Sequence, residues 1–141
     1  MSRPLTHRVA VIAYVFREDR FLLLLRNNPP RTWAPPGGGL EIDEDPEVGL
    51  HREVREETGL AVELLGPVET WFGQHVGHSL LSINYLARAL PGEVRLSDEH
   101  RDFAWVSYEM LKKGHPVSLD PAAGFRLENY RRAWEALQQI R

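Results

Sequence analysis

Three glutamates near the middle of the chain have the type and spacing that suit metal chemistry. Glu53, Glu56 and Glu57 stand at positions i, i+3 and i+4, so a helix would carry their carboxylates on one face, close together. Carboxylates that close repel one another unless a positive charge lies among them, and hard cations such as Mg²⁺ prefer carboxylate oxygens. The spacing favours a bound divalent cation. Taken alone, it also fits a solvated helix face on which Arg52 pairs with Glu56.

The helix that would position these glutamates has a clear start and a clear stop. Asp45 can cap free backbone amides, and the proline that follows it is tolerated at the first helical position. Gly59 suits the position just after a helix. These signals predict a helix from Pro46 to Thr58.

On the helical wheel, Leu50 and Val54 point toward the core. The glutamates lie beside that apolar stripe, and the small Gly49 on their side is expected to leave room over the carboxylates. His51 falls well away from the glutamate face, so we expect it to lie at the surface or to pack.

The other elements follow from the apolar pattern and from proline and glycine. The segment over residues 27–39 holds four prolines and three glycines, which predicts a loop. A C-terminal amphipathic helix is predicted from Asp120 and Pro121 onward. Strands are predicted over residues 9–16, 21–25, 61–65, 68–74, 78–90 and 103–106.

The composition is that of a globular protein of ordinary domain size. The chain has 141 residues, of which 43% are hydrophobic and 26% charged, and we expect a single domain, residues 1–141. The net charge of −3 provides no basic field to hold a long nucleic acid. Small phosphorylated ligands can still be bound by local arginines.

The absence of cysteine excludes disulfides, a thiol nucleophile and cysteine-based zinc sites. The first eight residues form no signal peptide, and the longest apolar block, Phe21 to Leu25, is too short to cross a bilayer. We therefore expect a soluble cytoplasmic protein with no membrane partner.

The stretch from Gly38 to Leu60 resembles the Nudix box at every defining position. Gly38 is followed after five residues by Glu44, and after seven more by the run REVREETGL at 52–60. The preceding WAPPGG at 33–38 resembles the usual lead-in to the box. Departures at positions 43, 45 and 49–51 remove no catalytic position, and the chain is identified as a member of the Nudix family.

This resemblance implies an α/β fold, the Nudix fold, in which an α/β/α sandwich surrounds a mixed β-sheet and the box forms a loop-helix-loop catalytic motif. It also implies hydrolysis of a diphosphate linkage in a nucleoside diphosphate derivative or a (d)NTP-like small molecule, with Mg²⁺ or Mn²⁺ as the cofactor. The resemblance implies that Glu56 and Glu57 bind the metal and that Glu53 either binds it or orients the water. It implies that Arg52 steers the carboxylates and that the carbonyl of Gly37 or Gly38 completes the metal shell. Glu41 and Glu44 are expected to support the loop or a second metal.

The expected chemistry agrees with those residue types. Attack of water on a pyrophosphate phosphorus builds charge on anionic oxygens, which a metal ion can neutralise, and a nearby carboxylate can accept the proton. Two alternatives stay open: a nucleotide-sensing module of the same fold without turnover, and a structural domain whose acidic helix is merely solvated.

Five residues outside the box are further candidates. Arg26 follows a predicted strand and suits either phosphate contact or solvent exposure. Trp33 can stack on a base, although packing under the loop is the favoured interpretation. Glu99 lies in a segment that resembles a loop, distant from the box, from which a carboxylate of family members reaches the metal or acts as the base. The alternative is that Glu99 is an exposed loop residue. His75 and His78 indicate substrate contact or plain surface, since no third zinc ligand is evident.

The substrate itself is not indicated. In the family, a proline some 15 to 18 positions beyond the box is linked to ADP-ribose hydrolases and a tyrosine to dinucleoside polyphosphate hydrolases. Residues 75–78 occupy those positions and carry neither. We expect a small nucleotide-type substrate and a monomer or homodimer, the latter through any exposed part of the C-terminal helix.

Overall fold

The computed structural model describes residues 5–140, which form seven β-strands, three α-helices and one short 3₁₀ turn. The strands are β1 (Arg8–Arg17), β2 (Arg20–Arg26), β3 (Trp33–Ala34), β4 (Gly37–Gly39), β5 (Val62–His75), β6 (His78–Ala89) and β7 (His100–Ser107). The helices are α1 (Pro46–Thr58), α2 (Tyr108–Lys113) and α3 (Leu127–Gln139), and the 3₁₀ turn is Pro121–Ala123.

The strands form one mixed sheet. β1 and β6 run parallel over nine residue pairs, and the other pairings are antiparallel: β1 with β2 and β4, β2 with β3 and β7, and β5 with β6. A parallel pair requires a long crossover connection, and here the chain between β1 and β6 includes α1. Helix α1 lies in this crossover connection and packs against β1 and β4.

Alternate side chains of β1 enter two separate hydrophobic clusters, as the two-residue period of a strand requires. Val11, Ala13 and Val15 pack in one cluster with residues of α1. Tyr14 and Phe16 pack in the other with residues of α2 and α3. The helices thus cover both faces of the sheet, which confirms the expected α/β/α arrangement around a mixed sheet.

The ends of α1 are held by the residues that predicted them. The Asp45 carboxylate accepts hydrogen bonds from the amides of Glu47 and Val48 at 3.0 and 3.1 Å, which satisfies two of the free donors at the helix start. Gly59 has φ of 73° in the left-handed region, and its amide donates to Arg55 O at 2.9 Å. The predicted bounds of α1 are confirmed.

The segment over residues 27–39, predicted as loop, contains β3 and β4. Three glycines pair with Ala10 to Ile12 of β1 in antiparallel register, because a ladder needs only backbone donors and acceptors. The glycines that signalled a loop instead form a strand that runs beside α1.

Two other predictions of secondary structure were wrong in extent. The strands expected over residues 61–65 and 68–74 are one strand, β5, with irregular register around Gly66 and Pro67, where proline offers no ladder donor. The C-terminal helix begins at Leu127 and not at Pro121, where only the 3₁₀ turn forms. Helix α2 was not predicted.

Within residues 5–140, no helix combines the length and the apolarity that a membrane crossing demands. α1 and α3, with 13 residues each, fall short of the roughly 20 residues that span a bilayer. The expected cytoplasmic location, single domain and oligomeric state stay predictions.

Candidate active site

The glutamates of α1 lie directly against the glycine strand β4. The amide of Gly37 donates a hydrogen bond to Glu57 Oε1 at 2.8 Å. A Cβ atom at Gly38 would lie 2.7 Å from the Cδ and Oε2 atoms of Glu53, and one at Gly37 would lie 2.3 Å from Val11 O. A side chain at position 37 would therefore collide with β1, and one at position 38 would displace the Glu53 carboxyl group, so the glycines leave room for this close packing.

Arg52 holds three carboxylates in place. Its guanidinium donates from Nε and Nη2 to both oxygens of Glu44, at 2.8 and 2.9 Å. Its Nη1 atom donates to Glu53 Oε1 at 3.0 Å and to Glu56 Oε2 at 3.2 Å. The hydrogen bonds from Arg52, helped by the amide of Glu41, hold the pKa of Glu44 down at about 2, and the same bonds raise the pKa of Arg52. The fork therefore stays charged and fixes the orientation of the cluster.

Glu57 is a buried carboxyl group, and no lysine or arginine of residues 5–140 pairs with it. Its residue is 6% exposed. Burial raises the pKa of Glu57 to about 8 against the opposing Gly37 amide, and the neighbouring charges of Glu53, Glu99 and Glu56 add to the rise. Burial likewise raises the pKa of Glu53 despite its bond to Arg52. A buried carboxylate requires a compensating charge, so this donor set fits a divalent cation.

The start of β7 and the residue before it bring two more potential ligands to Glu57, a second carboxylate and an imidazole. Potential ligand atoms of Glu57, Glu99 and His100 all lie within 4.8 Å of one another, and His100 Nε2 lies 3.9 Å from Glu57 Oε2. Burial lowers the pKa of His100, with a raising contribution from Glu99 and a lowering one from Arg26. The site thus combines carboxylate oxygens with a neutral imidazole.

Sequence reasoning missed His100 although it selected Glu99. The register of the β2–β7 ladder shifts after Leu25, which pairs with Asp102, so that Arg26 pairs with His100. Arg101 is the extra residue of this β-bulge, and bulges re-aim the side chains beside them. The adjacency of a histidine to Glu99 was the available signal, but a bulge cannot be read from the pattern.

Asn27 fixes the loop that presents Glu99. Its backbone amide donates to Glu99 O at 2.9 Å, and its side-chain amide donates to Asp98 O at 2.7 Å. Its Oδ1 atom accepts from Arg101 Nε at 3.1 Å. Three hydrogen bonds of Asn27, the residue after β2, therefore hold the loop before β7 and the start of β7.

A cleft of about 910 Å³ opens over the site, within the usual size range for small-molecule ligands. Its acidic wall includes Glu44, Glu57 and Glu99, and Arg8 and Arg26 add positive charge. Apolar surface is supplied by Leu5, Ile12, Ile42, Leu80 and Phe125. The cleft offers carboxylates, cations and apolar contacts to one ligand.

The candidates from outside the box fall in different places. Arg26 and His75 line the cleft. His78 lines a smaller cavity of about 280 Å³ that shares Leu5, His7 and Arg8 with the cleft. The described residues place no third metal-binding side chain with His75 and His78. Trp33 is half-buried and packs against the cluster on the α3 side of the sheet.

Gly49 does not leave the open space that was expected over the carboxylates. A Cβ atom at this position would lie 2.4 Å from Leu40 Cδ2 and 2.8 Å from Glu44 Oε1. The room is therefore filled by the side chains of the preceding loop, which pack against the helix. His51 is exposed.

Comparison with known proteins places this site in a family. The model of the NUDIX domain matches residues 6–125. A MutT-like protein from Streptomyces ambofaciens is 36% identical over 106 residues, covering 75% of this chain and 68% of the relative. An RNA pyrophosphohydrolase from Caulobacter vibrioides is 28% identical over 137 residues, covering 94% and 74%. The crystal structure of a MutT NUDIX hydrolase from Burkholderia pseudomallei superposes with a TM-score of 0.73 at 30% identity, covering 87% of this chain and 97% of that one. The chain belongs to the Nudix hydrolase family.

Proposed function

We propose that this Nudix hydrolase cleaves the diphosphate linkage of a small nucleoside diphosphate derivative or (d)NTP-like molecule, with Mg²⁺ or Mn²⁺ as cofactor. The observation that carries the proposal is the Glu57 carboxyl group, which is buried at the floor of the cleft with one oxygen held by the Gly37 amide. Glu53 and Glu99 lie close enough to raise its pKa. Such a cluster of carboxylates suits a cation and a phosphate-bearing ligand.

The residues present fit a divalent cation. Glu57 and Glu99 would hold it. Glu53 and Glu56 pair with Arg52 in this structure, and their charges act on Glu57, so they are proposed as further ligands. When bound, the cation would neutralise charge on the phosphate oxygens and lower the pKa of water. A carbonyl of Gly37 or Gly38 as an additional ligand stays part of the proposal.

The chain's own groups would position the reactants. Arg26 would bind a phosphate through its planar fork of donors, while Arg52 keeps the α1 carboxylates oriented. Water would form a bond to phosphorus as the bond from phosphorus to the bridging oxygen breaks. Glu53 or Glu99 would accept the proton that the water loses, and the leaving phosphate would depart with the bridging oxygen.

Substrate contacts are proposed for Arg26 and His75, since both line the cleft. The apolar side chains of Leu5, Leu80 and Phe125 line the same cleft and supply the kind of surface that a nucleoside or another attached group can contact. The mixed lining supports a small nucleotide-type ligand without selecting one base or one second group.

The proposal is tested with demetallated protein, to which Mg²⁺ or Mn²⁺ is added with a panel of nucleoside triphosphates, ADP-ribose, dinucleoside polyphosphates and 5′-triphosphorylated RNA. Reaction in H₂¹⁸O with mass spectrometry should place one ¹⁸O atom in a phosphate product, as attack at phosphorus requires. Glu57→Gln and Glu56→Gln should lower the turnover of the best substrate, the former by about 100-fold or more because a ligand of the cation is lost.

The matched control is Glu93→Gln, which removes an exposed carboxyl group away from the cleft and should leave turnover unchanged. If Glu57→Gln turns over the best substrate as fast as the wild type, the assignment of the site is wrong. Tight nucleotide binding with no phosphate release across the panel would instead support a nucleotide-sensing module.

A further inference from the structure

His100 is a buried imidazole that the proposed hydrolysis does not use. Its side chain is 8% exposed, and its Nδ1 atom has no hydrogen-bond partner among the described residues. Nε2 faces Glu57 Oε2 at 3.9 Å, which is too long for a hydrogen bond. Because buried polar atoms are normally satisfied, the unpartnered Nδ1 shows that no described residue fixes the ring through that atom, and the opposite ring nitrogen, Nε2, is turned toward the Glu57 carboxylate.

The distance between His100 and Glu57 falls below the upper limit for two ligands of one metal ion. Two ligand atoms that each lie about 2.1 Å from an ion can be at most about 4.2 Å apart. The 3.9 Å between His100 Nε2 and Glu57 Oε2 falls inside that limit. The ligand atoms of the whole group lie within 4.8 Å of one another, and where a separation exceeds the limit the exposed Glu99 side chain would have to rotate to reach the same ion.

The backbone supports the same grouping. Adjacent residues of a regular strand point to opposite faces of the sheet, so a regular strand would not bring both Glu99 and His100 to one ion. Here Glu99 precedes β7, His100 begins it, and the bulge at Arg101 follows at once. The irregular start of the strand is what allows both side chains to approach Glu57.

We propose that His100 supplies an imidazole nitrogen to the cation held by Glu57 and Glu99, and that this mixed ligand set favours Mn²⁺ and Co²⁺ over Mg²⁺. Mg²⁺ prefers oxygen ligands in near-ideal octahedral geometry. Imidazole binds transition-metal ions such as Mn²⁺ and Co²⁺ more strongly than it binds Mg²⁺. The inference rests on the metal site of the proposed function and adds the identity of the preferred cation.

The test is a spectrum of the bound metal, recorded on the full chain. Demetallated protein is loaded with Mn²⁺ and examined by electron spin-echo envelope modulation, where a coordinated imidazole gives coupling to ¹⁴N. Labelling of histidine alone with ¹⁵N should convert that coupling to ¹⁵N. His100→Gln should abolish it, while His51→Gln, which alters an exposed histidine of α1, should retain it.

Metal affinities provide the second measurement. Calorimetric titration of His100→Gln should show weaker Mn²⁺ binding by about tenfold or more, with Mg²⁺ binding changed by less than about threefold. Equal losses for both ions would overturn the claim of selectivity. Absence of nitrogen coupling in the wild type, or coupling that survives His100→Gln and disappears in His75→Gln, would overturn the assignment to His100.

If His100→Gln does not fold, the wild-type spectrum still decides the question. Nitrogen coupling that persists through separate substitution of each of the other five histidines supports His100 by elimination. The outcome is also separable from that of the proposed hydrolysis. Turnover that requires Glu57 without nitrogen coupling overturns only this inference, whereas nitrogen coupling without turnover of any tested substrate supports it and contradicts the hydrolysis.

Discussion

Glu44 and Glu57 line the same cleft, yet their carboxyl groups have opposite surroundings. The fork of Arg52 holds the pKa of Glu44 at about 2, so Glu44 remains ionised and anchors the arginine. Burial raises the pKa of Glu57 to about 8, so in the metal-free protein Glu57 retains its proton at neutral pH. One carboxylate serves the framework of the site, and the other is available to a cation that displaces its proton.

The raised pKa of Glu57 predicts how the stability of the metal-free protein changes with pH. In the unfolded chain this carboxyl group loses its proton near its ordinary pKa of 4.5, whereas in the folded chain it keeps the proton up to about pH 8. The folded state binds more protons in that window, so its free energy of unfolding falls as pH rises from about 4.5 to about 8. Glu57→Gln should remove the contribution of Glu57 to this decrease in the free energy of unfolding. That contribution is on the order of a few kcal/mol between the two pH values.

Urea denaturation at pH 5, 6.5 and 8, in the presence of a chelator, measures the effect. Glu93→Gln is the control, because it also removes one carboxyl group but from an exposed position. The environment assigned to Glu57 is wrong if Glu57→Gln and Glu93→Gln show the same dependence of unfolding free energy on pH.

At the scale of elements, the site depends on close contact between α1 and β4. Gly38→Ala would place a methyl group 2.7 Å from the Glu53 carboxyl carbon and force that side chain or the helix to move. We expect the affinity for Mn²⁺ or Mg²⁺ to fall by about tenfold or more, as when residues that orient metal ligands are changed.

Gly39→Ala is a matched control in the same strand, since a Cβ atom there meets no atom within 4 Å. Its metal affinity, measured by calorimetry, should stay within about twofold of the wild type, the range of surface changes that remove no contact. Equal losses in the Gly38 and Gly39 variants would show that the contact with Glu53 is not what matters.

The same elements show what can be predicted from sequence and why. The bounds of α1 were predictable because Asp45 and Gly59 act on the backbone within a few residues. The role of β4 was not, since a glycine strand is stabilised only by its ladder with β1. Helix α2 had local signals, a Ser107 cap and Gly114 in the left-handed region, but six residues offer little apolar periodicity.

The candidate site likewise has one part that local signals predict and one part that depends on pairing between distant residues. The glutamates of the box follow from helical spacing, which is a local property. His100 reaches Glu57 through a bulge in the β2–β7 ladder, and the register of a ladder depends on residues far apart in the chain. Spacing therefore predicts the part of the site that α1 carries and misses His100, while Glu99 was expected only from the resemblance to the family.

At the scale of the whole molecule, Glu69 links α3 to the face of the sheet opposite α1. Its Oε2 atom accepts hydrogen bonds from Tyr14 Oη at 2.7 Å, Asn84 Nδ2 at 2.8 Å and Asn129 Nδ2 at 2.9 Å, and its Oε1 atom accepts from Arg132 Nη1 at 2.9 Å. Burial works against ionisation, but these bonds prevail and hold the pKa of Glu69 below its ordinary value. A satisfied buried carboxylate thus joins β1, β6 and α3.

Two adjacent arginines of α3 allow the contribution of this link to be measured. Arg132 donates to the buried Glu69 carboxylate and also lies 3.4 Å from Glu128 Oε1, whereas Arg131 pairs with the exposed Glu128 and Glu135. Arg132→Ala should lower the free energy of unfolding, since a charge-assisted bond to a buried group is lost. Arg131→Ala should lower it less, because the carboxylates that it pairs with are exposed.

Urea denaturation of both variants gives the comparison, and metal affinity should be unchanged in each because α3 and α1 pack in separate clusters. Similar losses of stability in the two variants would contradict the role assigned to Glu69. A loss of metal affinity in Arg132→Ala would show that the two faces of the sheet are coupled.

The fork of Arg52 and the amide of Gly37 have a consequence for how a cation enters the site. They hold Glu44, Glu53 and Glu57 in place by contacts within the protein itself, and ordering such a side chain otherwise costs about 0.5 to 1.5 kcal/mol. A cation that enters the site would find these carboxylates already ordered and would need to order chiefly the exposed carboxylate of Glu99. Ions could then exchange between rounds of reaction while the floor of the cleft keeps its shape.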